Sequence, residues 1–132
     1  STGEKVPPAD LEQAIEVDPF VDQVMVIGDN RPYIAAIIVP NKQAWEALCA
    51  KLGVDPADPD SLRARPVRQA VVHLVKAATR SFPNYGIPRD VLLTLSPWTI
   101  DNGALTPTLK LKRRVILQRL NKDIEELYGS RE

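Results

Sequence analysis

The stretch QVMVIGDNRPYIAAIIVP, residues 23–40, decides the fold because two β-rich runs flank a segment of turn-forming residues. The first run is Gln23–Ile27 and the second is Tyr33–Pro40. The residues between them supply positive φ angles and fixed turn geometry, so the pattern predicts a β-hairpin. Residues 34–39 are apolar without alternation. Both faces of the second strand are therefore expected to be buried, in a small sheet with helices on each side.

Beyond the hairpin, apolar spacing and cap residues predict four helices and one further strand. Proline is accepted in the first turn of a helix, asparagine caps a helix and glycine ends one. The resulting order, α-β-β-α-α-β-α, predicts an α+β fold with a small sheet of about three strands, including a hairpin, flanked by helices. The predicted elements are a helix from Pro8 or Ala9 to about Asp18, a helix capped by Asn41 and ending at Gly53, a helix over about Val67–Thr79, a strand at Val91–Leu95, a loop over 96–109 and a helix over about Lys112–Tyr128.

Composition excludes several classes of protein. The 132 residues are 44% hydrophobic, and 17 basic residues balance 17 acidic ones. The length fits one domain, and the hydrophobic fraction is too high for a disordered chain. The balance of charges argues against a general binder of polyanions. No apolar run approaches the ~20 residues that span a bilayer, and no segment resembles a signal peptide. Cys49 is the only cysteine and His73 the only histidine, which excludes an internal disulfide and a cysteine-based zinc cluster, and we interpret both as structural residues.

A long loop, residues 96–109, precedes a dense basic segment. Loops of this length inside a compact domain are usually functional or disordered. Cations in the first turn of a helix oppose the helix dipole by roughly a few tenths of a kcal/mol each. The basic residues of this segment can be interpreted either as solvated surface residues or as groups that contact a phosphate or a carboxylate. Their spacing alone leaves both interpretations open. The cations are Lys110, Lys112, Arg113 and Arg114.

Three segments carry motifs that follow one another along the chain. They are Gly3–Glu12 (GEKVPPADLE), Val26–Pro40, and Asn102–Arg113 (NGALTPTLKLKR). Together they resemble the hinge motif, the hairpin and the last core motif of the C-terminal domain of the adenylate-forming superfamily. Within that superfamily the chain is most similar to the long-chain fatty-acid–CoA ligases, because Leu109 stands before the motif lysine, Lys110, where other branches have glycine.

The resemblance implies an enzyme that joins a fatty acid to ATP, giving acyl-AMP and pyrophosphate, and then transfers the acyl group to coenzyme A. ATP, coenzyme A and Mg²⁺ are expected in the full-length enzyme, and none is expected to bind this domain alone. Residues 1–132 would form one domain, the mobile C-terminal lid, which rotates between the half-reactions. Its expected partner is the N-terminal adenylation domain, which lies outside this sequence. Because the chain starts at Ser1 rather than Met, we expect it to begin just past the hinge and to be inactive in isolation.

The resemblance also assigns residue roles. Lys110 matches a lysine that enters the adenylation site, where an ammonium group would offset charge on the carboxylate and the α-phosphate, and it is the expected catalytic residue. Gly3 matches a glycine that faces the catalytic site after rotation. The hydroxyls of Thr106 and Thr108 are expected to tie the loop to its own backbone and hold Lys110 outward. No metal ligand is expected. The residues expected to bind substrate or cofactor are Gly3, Thr106, Thr108, Lys112 and Arg113.

Two alternatives remain open at this point. The chain could be a non-enzymatic module whose basic segment docks on an anionic partner or a membrane surface. It could also be the C-terminal domain of a fatty-acyl-AMP ligase, which hands its acyl group to a carrier protein instead of coenzyme A. We expect a cytoplasmic enzyme, with peripheral membrane contact left open, and no nucleic-acid partner.

Overall fold

The computed structural model describes residues 6–129, which fall into two compact units divided between Leu95 and Ser96. Within this part of the chain, five α-helices and a three-stranded mixed sheet confirm the predicted α+β class. The first unit contains α1 (Pro8–Glu16), β1 (Val21–Ile27), β2 (Ala35–Pro40), α2 (Lys42–Leu52), α3 (Arg65–Ala78) and β3 (Asp90–Leu93), with short 3₁₀ turns at Pro59–Arg63 and Asn84–Gly86. The second unit contains α4 (Arg113–Arg119) and α5 (Asn121–Gly129).

The sheet has the order β1-β2-β3. Strands β1 and β2 pair in antiparallel fashion, with Val26 opposite Ala36, and this confirms the predicted hairpin. Strands β2 and β3 run parallel, with Ile37 opposite Leu92. The central strand β2 is buried along its whole length, as its unbroken apolar run predicted. All three strands begin and end within two residues of the predicted bounds.

One face of the sheet packs against helices α1, α2 and α3, and this is the core of the first unit. Alternate residues of each strand point to this face because side chains in a strand have a period of two. The caps of α2 follow the sequence prediction: the side chain of Asn41 accepts a hydrogen bond from Ala44 N at 2.9 Å, and Gly53 ends the helix at a φ of 73°. The core residues from the strands are Val21, Val24, Val26, Ala36, Ile38, Val91 and Leu93. The pairing register shifts between Val21 and Gln23, which accounts for the break in alternation in β1.

Glu12 corrects the sequence-based interpretation of α1, which placed this side chain on the outer face. Glu12 is only 7% exposed, and its Oε2 accepts a hydrogen bond from Val26 N at 2.8 Å. Strand β1 is an edge strand, so one side of its backbone lacks a strand partner. The carboxylate supplies the missing acceptor and fastens α1 to the edge of the sheet.

The last predicted helix is two helices. Leu120 separates α4 from α5 with φ −101° and ψ 12°, outside the helical region. Hydrogen bonds from Leu120 N to Ile116 O (3.0 Å) and from Ile124 N to Leu120 O (2.9 Å) nevertheless continue the helical spacing across the break. The following residue, Asn121, belongs to a type that competes for backbone hydrogen bonds and favours helix ends. The apolar residues of the segment therefore keep their helical spacing across the break at Leu120, and this spacing alone did not predict the break.

Candidate functional site

Residues 104–112 form a small β-hairpin, which we call the lysine hairpin. Leu105 and Leu111 form an antiparallel bridge. Lys112 N donates to Ala104 O at 2.9 Å, and Thr106 N donates to Lys110 O at 2.8 Å. The sequence analysis predicted only a loop over most of this range, so the hairpin is a feature that it missed.

The turn of the lysine hairpin spans Pro107 to Leu109. Leu109 N donates to Thr106 O at 2.8 Å and closes the turn. Leu109 itself has a φ of 67°, in the left-handed region. A three-residue hairpin loop whose last residue is left-handed is a common solution, and it usually places glycine there. A leucine at this position is unusual.

Threonine hydroxyls reinforce the turn. Thr106 Oγ1 accepts a hydrogen bond from Lys110 N at 3.0 Å and lies 3.2 Å from Thr108 Oγ1. The Thr106 bond is the tie to the local backbone that the sequence led us to expect, whereas Thr108 contacts the Thr106 hydroxyl and not the backbone. Both the N–H and the C=O of Lys110 are thus bonded to Thr106. The backbone of Lys110 is held in place from two sides.

The side chain of Lys110 is exposed at the end of this turn. Within residues 6–129 its ammonium group makes no hydrogen bond or ion pair. Lysine carries a compact charge on a flexible four-carbon stem with three donors. The arrangement therefore presents an unneutralised cation from a fixed backbone, which suits contact with a phosphate or carboxylate that is supplied from outside.

Asn102 organises the segment that leads into the lysine hairpin. Its Oδ1 accepts hydrogen bonds from Thr99 N and Ala104 N, each at 3.1 Å, and its Nδ2 donates to a backbone carbonyl at 2.9 Å. The Asn102 carbonyl accepts from the guanidinium of Arg119 on α4. The next residue, Gly103, has a φ of 81°. An Asn-Gly pair is a known turn signal, so this part of the site was visible in the sequence.

The remaining predicted site residues lie in three places. Lys112 is exposed at the end of the hairpin and directly precedes α4, and Arg113 is the first residue of that helix. The structure thus gathers Thr106, Thr108, Lys110 and Lys112 on one hairpin. Gly3 lies outside the described residues, and its role stays a prediction.

Other chemistry is limited within the described part of the chain. Residues 6–129 contain no group of three or more His, Cys, Asp or Glu side chains that could hold a metal ion. In the same range, no helix has both the length and the apolar character needed to cross a membrane. Cys49 is fully buried, and burial, followed by the charge of Asp55, raises the pKa of its thiol, so it packs as a small apolar residue. His73 is exposed on α3.

Comparison with known proteins covers the whole chain. A family model described as "AMP-binding enzyme C-terminal domain" matches residues 1–132. The long-chain-fatty-acid–CoA ligase FadD15 of Mycobacterium tuberculosis is 31% identical over 96% of this chain and 22% of its own length. The chloroplastic long-chain-fatty-acid–[acyl-carrier-protein] ligase AEE15 of Arabidopsis thaliana is 31% identical over 98% of this chain and 16% of its own length. The chain thus spans about a fifth of these relatives.

A solved structure shares the fold. The A domain of carboxylic acid reductase from Segniliparus rugosus, in complex with AMP and a co-purified carboxylic acid, superimposes with a TM-score of 0.78 at 29% identity. The match covers 100% of this chain and 19% of that one. The resemblance read from the three sequence motifs is confirmed at the level of fold and family.

Proposed function

Because this chain belongs to the family of AMP-binding enzyme C-terminal domains, we propose that it is the C-terminal domain of an ATP-dependent long-chain fatty-acid–CoA ligase. The lysine hairpin carries the proposal: an exposed cation stands on a backbone that its own turn holds in place. The similarity to a long-chain-fatty-acid–CoA ligase supports the choice of substrates. The proposed partner is an adenylation domain in the same enzyme, and the proposed location is the cytoplasm, with peripheral membrane contact as an addition.

In the first half-reaction the carboxylate of the fatty acid attacks the α-phosphorus of ATP, and pyrophosphate leaves. Negative charge gathers on the oxygens of the carboxylate and the α-phosphate in the transition state. The ammonium group of Lys110 offsets this charge, so its proposed role is that of an electrostatic catalyst and not a nucleophile. The turn bonds at Thr106 hold the Lys110 backbone, so only the lysine stem has to be ordered when the site closes.

In the second half-reaction the thiol of coenzyme A attacks the acyl carbonyl of acyl-AMP, the thiol proton is released, and AMP leaves. We propose that the domain rotates between the two steps, which withdraws Lys110. Lys112 and Arg113, which the sequence analysis expected to bind substrate or cofactor, are proposed to approach phosphate groups while Lys110 is in the adenylation site. The described residues offer no carboxylate cluster for Mg²⁺, so we place any magnesium ligands in the adenylation domain.

A substitution at Lys110 tests the proposal in the enzyme that contains this chain. In the Lys110→Ala variant we expect fatty-acid-dependent pyrophosphate release to fall by roughly a hundred- to a thousand-fold, which is about 3–4 kcal/mol of transition-state stabilisation. Thioester formation from supplied acyl-AMP should change less than about twofold, because that step does not use the lysine. Lys122→Ala is the matched control, since Lys122 is an exposed lysine on α5. Equal losses in both half-reactions, or no loss, would contradict the role of Lys110.

The acyl acceptor is a separate question, and one comparison favours a second candidate. AEE15 is named as a ligase that uses an acyl carrier protein, so the second candidate is a ligase that charges such a protein. Supplying acyl-AMP with either coenzyme A or a phosphopantetheinylated carrier protein separates the two. We expect the thioester on coenzyme A. A thioester that forms only on the carrier protein would replace our proposal with the second candidate.

A further inference from the structure

Leu109 combines two unfavourable properties at the tip of the lysine hairpin. Its φ of 67° lies in the left-handed region, where a side chain with a Cβ crowds the following carbonyl. Its apolar side chain is also 67% exposed. Within residues 6–129 the other non-glycine residue with positive φ is Asn30, a type that tolerates this conformation. Val17 is more exposed, at 81%, but its φ of −62° is ordinary.

The turn imposes this conformation on Leu109. The bond from Leu109 N to Thr106 O and the bonds between Lys110 and Thr106 fix the backbone on both sides of Leu109. Packing within the domain does not explain the side chain, because two-thirds of it faces solvent. Strained backbone conformations that persist in this way are found most often at functional sites.

We propose that Leu109 is an interface residue that packs against an apolar surface of the adenylation domain when Lys110 enters the adenylation site. This inference rests on the proposed function of Lys110. Because the two residues are adjacent, Lys110 cannot enter a closed site without also carrying Leu109 to its entrance. The four-carbon stem of lysine reaches deeper than a leucine side chain. Leu109 therefore meets the wall around the entrance and not the reacting groups.

An apolar contact at this place serves the chemistry of its neighbour. Burial of the exposed part of Leu109 favours the closed state, since apolar surface leaves water. The same contact excludes water from around the Lys110 ammonium and the phosphate. Charge interactions are stronger where water is excluded. Glycine or asparagine at position 109 would make the turn easier to form but would not exclude water in this way.

The test compares Leu109→Gly and Leu109→Asn in the enzyme that contains this chain. Glycine and asparagine both accept the left-handed conformation, so neither variant should lower the Tm of the enzyme. Both should slow acyl-AMP formation about tenfold, equivalent to about 1.4 kcal/mol, and leave thioester formation from supplied acyl-AMP unchanged. Leu117→Asn is the matched control, because Leu117 is 40% exposed on α4. A purely structural role would move stability and adenylation in the same direction.

Three outcomes would overturn the inference. The first is an unchanged adenylation rate in the Leu109 variants, and the second is a slower rate that accompanies a lower Tm. The third is a loss of rate that grows with the length of the acyl chain, because that result would place Leu109 against the substrate. The Lys110→Ala variant, measured in the same assays, separates this inference from the proposed function. If Lys110→Ala slows adenylation and the Leu109 variants do not, only the interface role of Leu109 fails. If Lys110→Ala has no effect, the proposed function itself fails.

Discussion

Asp90 should be among the most sensitive positions of the first unit. It begins β3, is 2% exposed, and accepts hydrogen bonds from Arg68 Nε at 2.7 Å and from Val91 N at 2.8 Å. The second carboxylate oxygen accepts from Arg68 Nη2, so the pair is bidentate and joins α3 to β3. The hydrogen bond to Asp90 raises the pKa of the Arg68 guanidinium, against the opposing effect of burial. The Asp90 side chain of this pair is almost completely removed from water, and the Arg68 side chain is 30% exposed.

The expected cost of breaking this pair follows from its burial. Removing one partner of a buried ion pair typically costs about 3–5 kcal/mol, because the other charge is left uncompensated. The Arg68 side chain is 30% exposed and can regain some water, so we expect Asp90→Asn to lower the free energy of unfolding by about 3 kcal/mol. The Arg68→Met variant should cost a similar amount, because it leaves the Asp90 carboxylate buried and unpaired.

A double-mutant cycle measures the interaction itself. Urea unfolding of the chain at neutral pH, followed by circular dichroism, gives the free energy for the parent, both single variants and the double variant Arg68→Met/Asp90→Asn. We expect a coupling energy of at least about 2 kcal/mol, since the second substitution removes the charge that the first substitution leaves without a partner. Arg80→Met, at an exposed arginine just after α3, is the control and should change stability by less than about 0.5 kcal/mol. A coupling energy below about 0.5 kcal/mol would refute this account of how α3 and β3 are joined.

Two further predictions concern the carboxylates of α1. Glu12→Ala should cost about 2–3 kcal/mol in urea unfolding, because it removes a charge-assisted hydrogen bond and leaves the N–H of Val26 without that acceptor. Glu12→Gln keeps an oxygen acceptor and should lower the free energy of unfolding by less than half as much as Glu12→Ala. Equal losses in the two variants would contradict the role of Glu12 as the acceptor for Val26 N. Partial burial, and then the charge of Glu12, raise the pKa of Glu16 above its usual 4.5. The native state thus favours protonated Glu16, and this contribution is present below pH 4.5 and lost as the pH rises through the native pKa. Glu16→Gln should therefore be slightly more stable than the parent at pH 7 and equal to it near pH 3, and the reverse order would contradict the sign of the shift.

Local patterns in the sequence were enough to predict the sheet and several helix ends. The unbroken apolar run at residues 34–39 predicted a strand buried on both faces, and β2 is buried along its length. Asn41 and Gly53 were identified as helix ends because their side-chain and backbone chemistry acts within one turn. The motifs of residues 102–113 singled out the segment that forms the lysine hairpin, since the turn that presents Lys110 is held by bonds among neighbours in sequence.

Features that depend on contacts between distant residues were missed. Glu12 follows the helical period of an outward-facing residue, but an edge strand fourteen positions away binds it. The lysine hairpin lacks the alternating pattern of longer strands, because its stem is a single bridge between Leu105 and Leu111. The left-handed conformation of Leu109 could not be expected from a leucine, since the turn bonds overrule the preference of the residue.

The way the lysine hairpin is built has a consequence for the entropy of site closure. Ordering the backbone of a flexible segment costs about 1–2 kcal/mol per residue, so nine unstructured residues around Lys110 would oppose closure by roughly 9–18 kcal/mol. Here the turn and its hydroxyl bonds are formed before any substrate arrives. Only the rotamers of the lysine stem remain to be fixed, at about 2 kcal/mol. The lid of the proposed function, which opens and closes in every catalytic cycle, can work with a difference of that size.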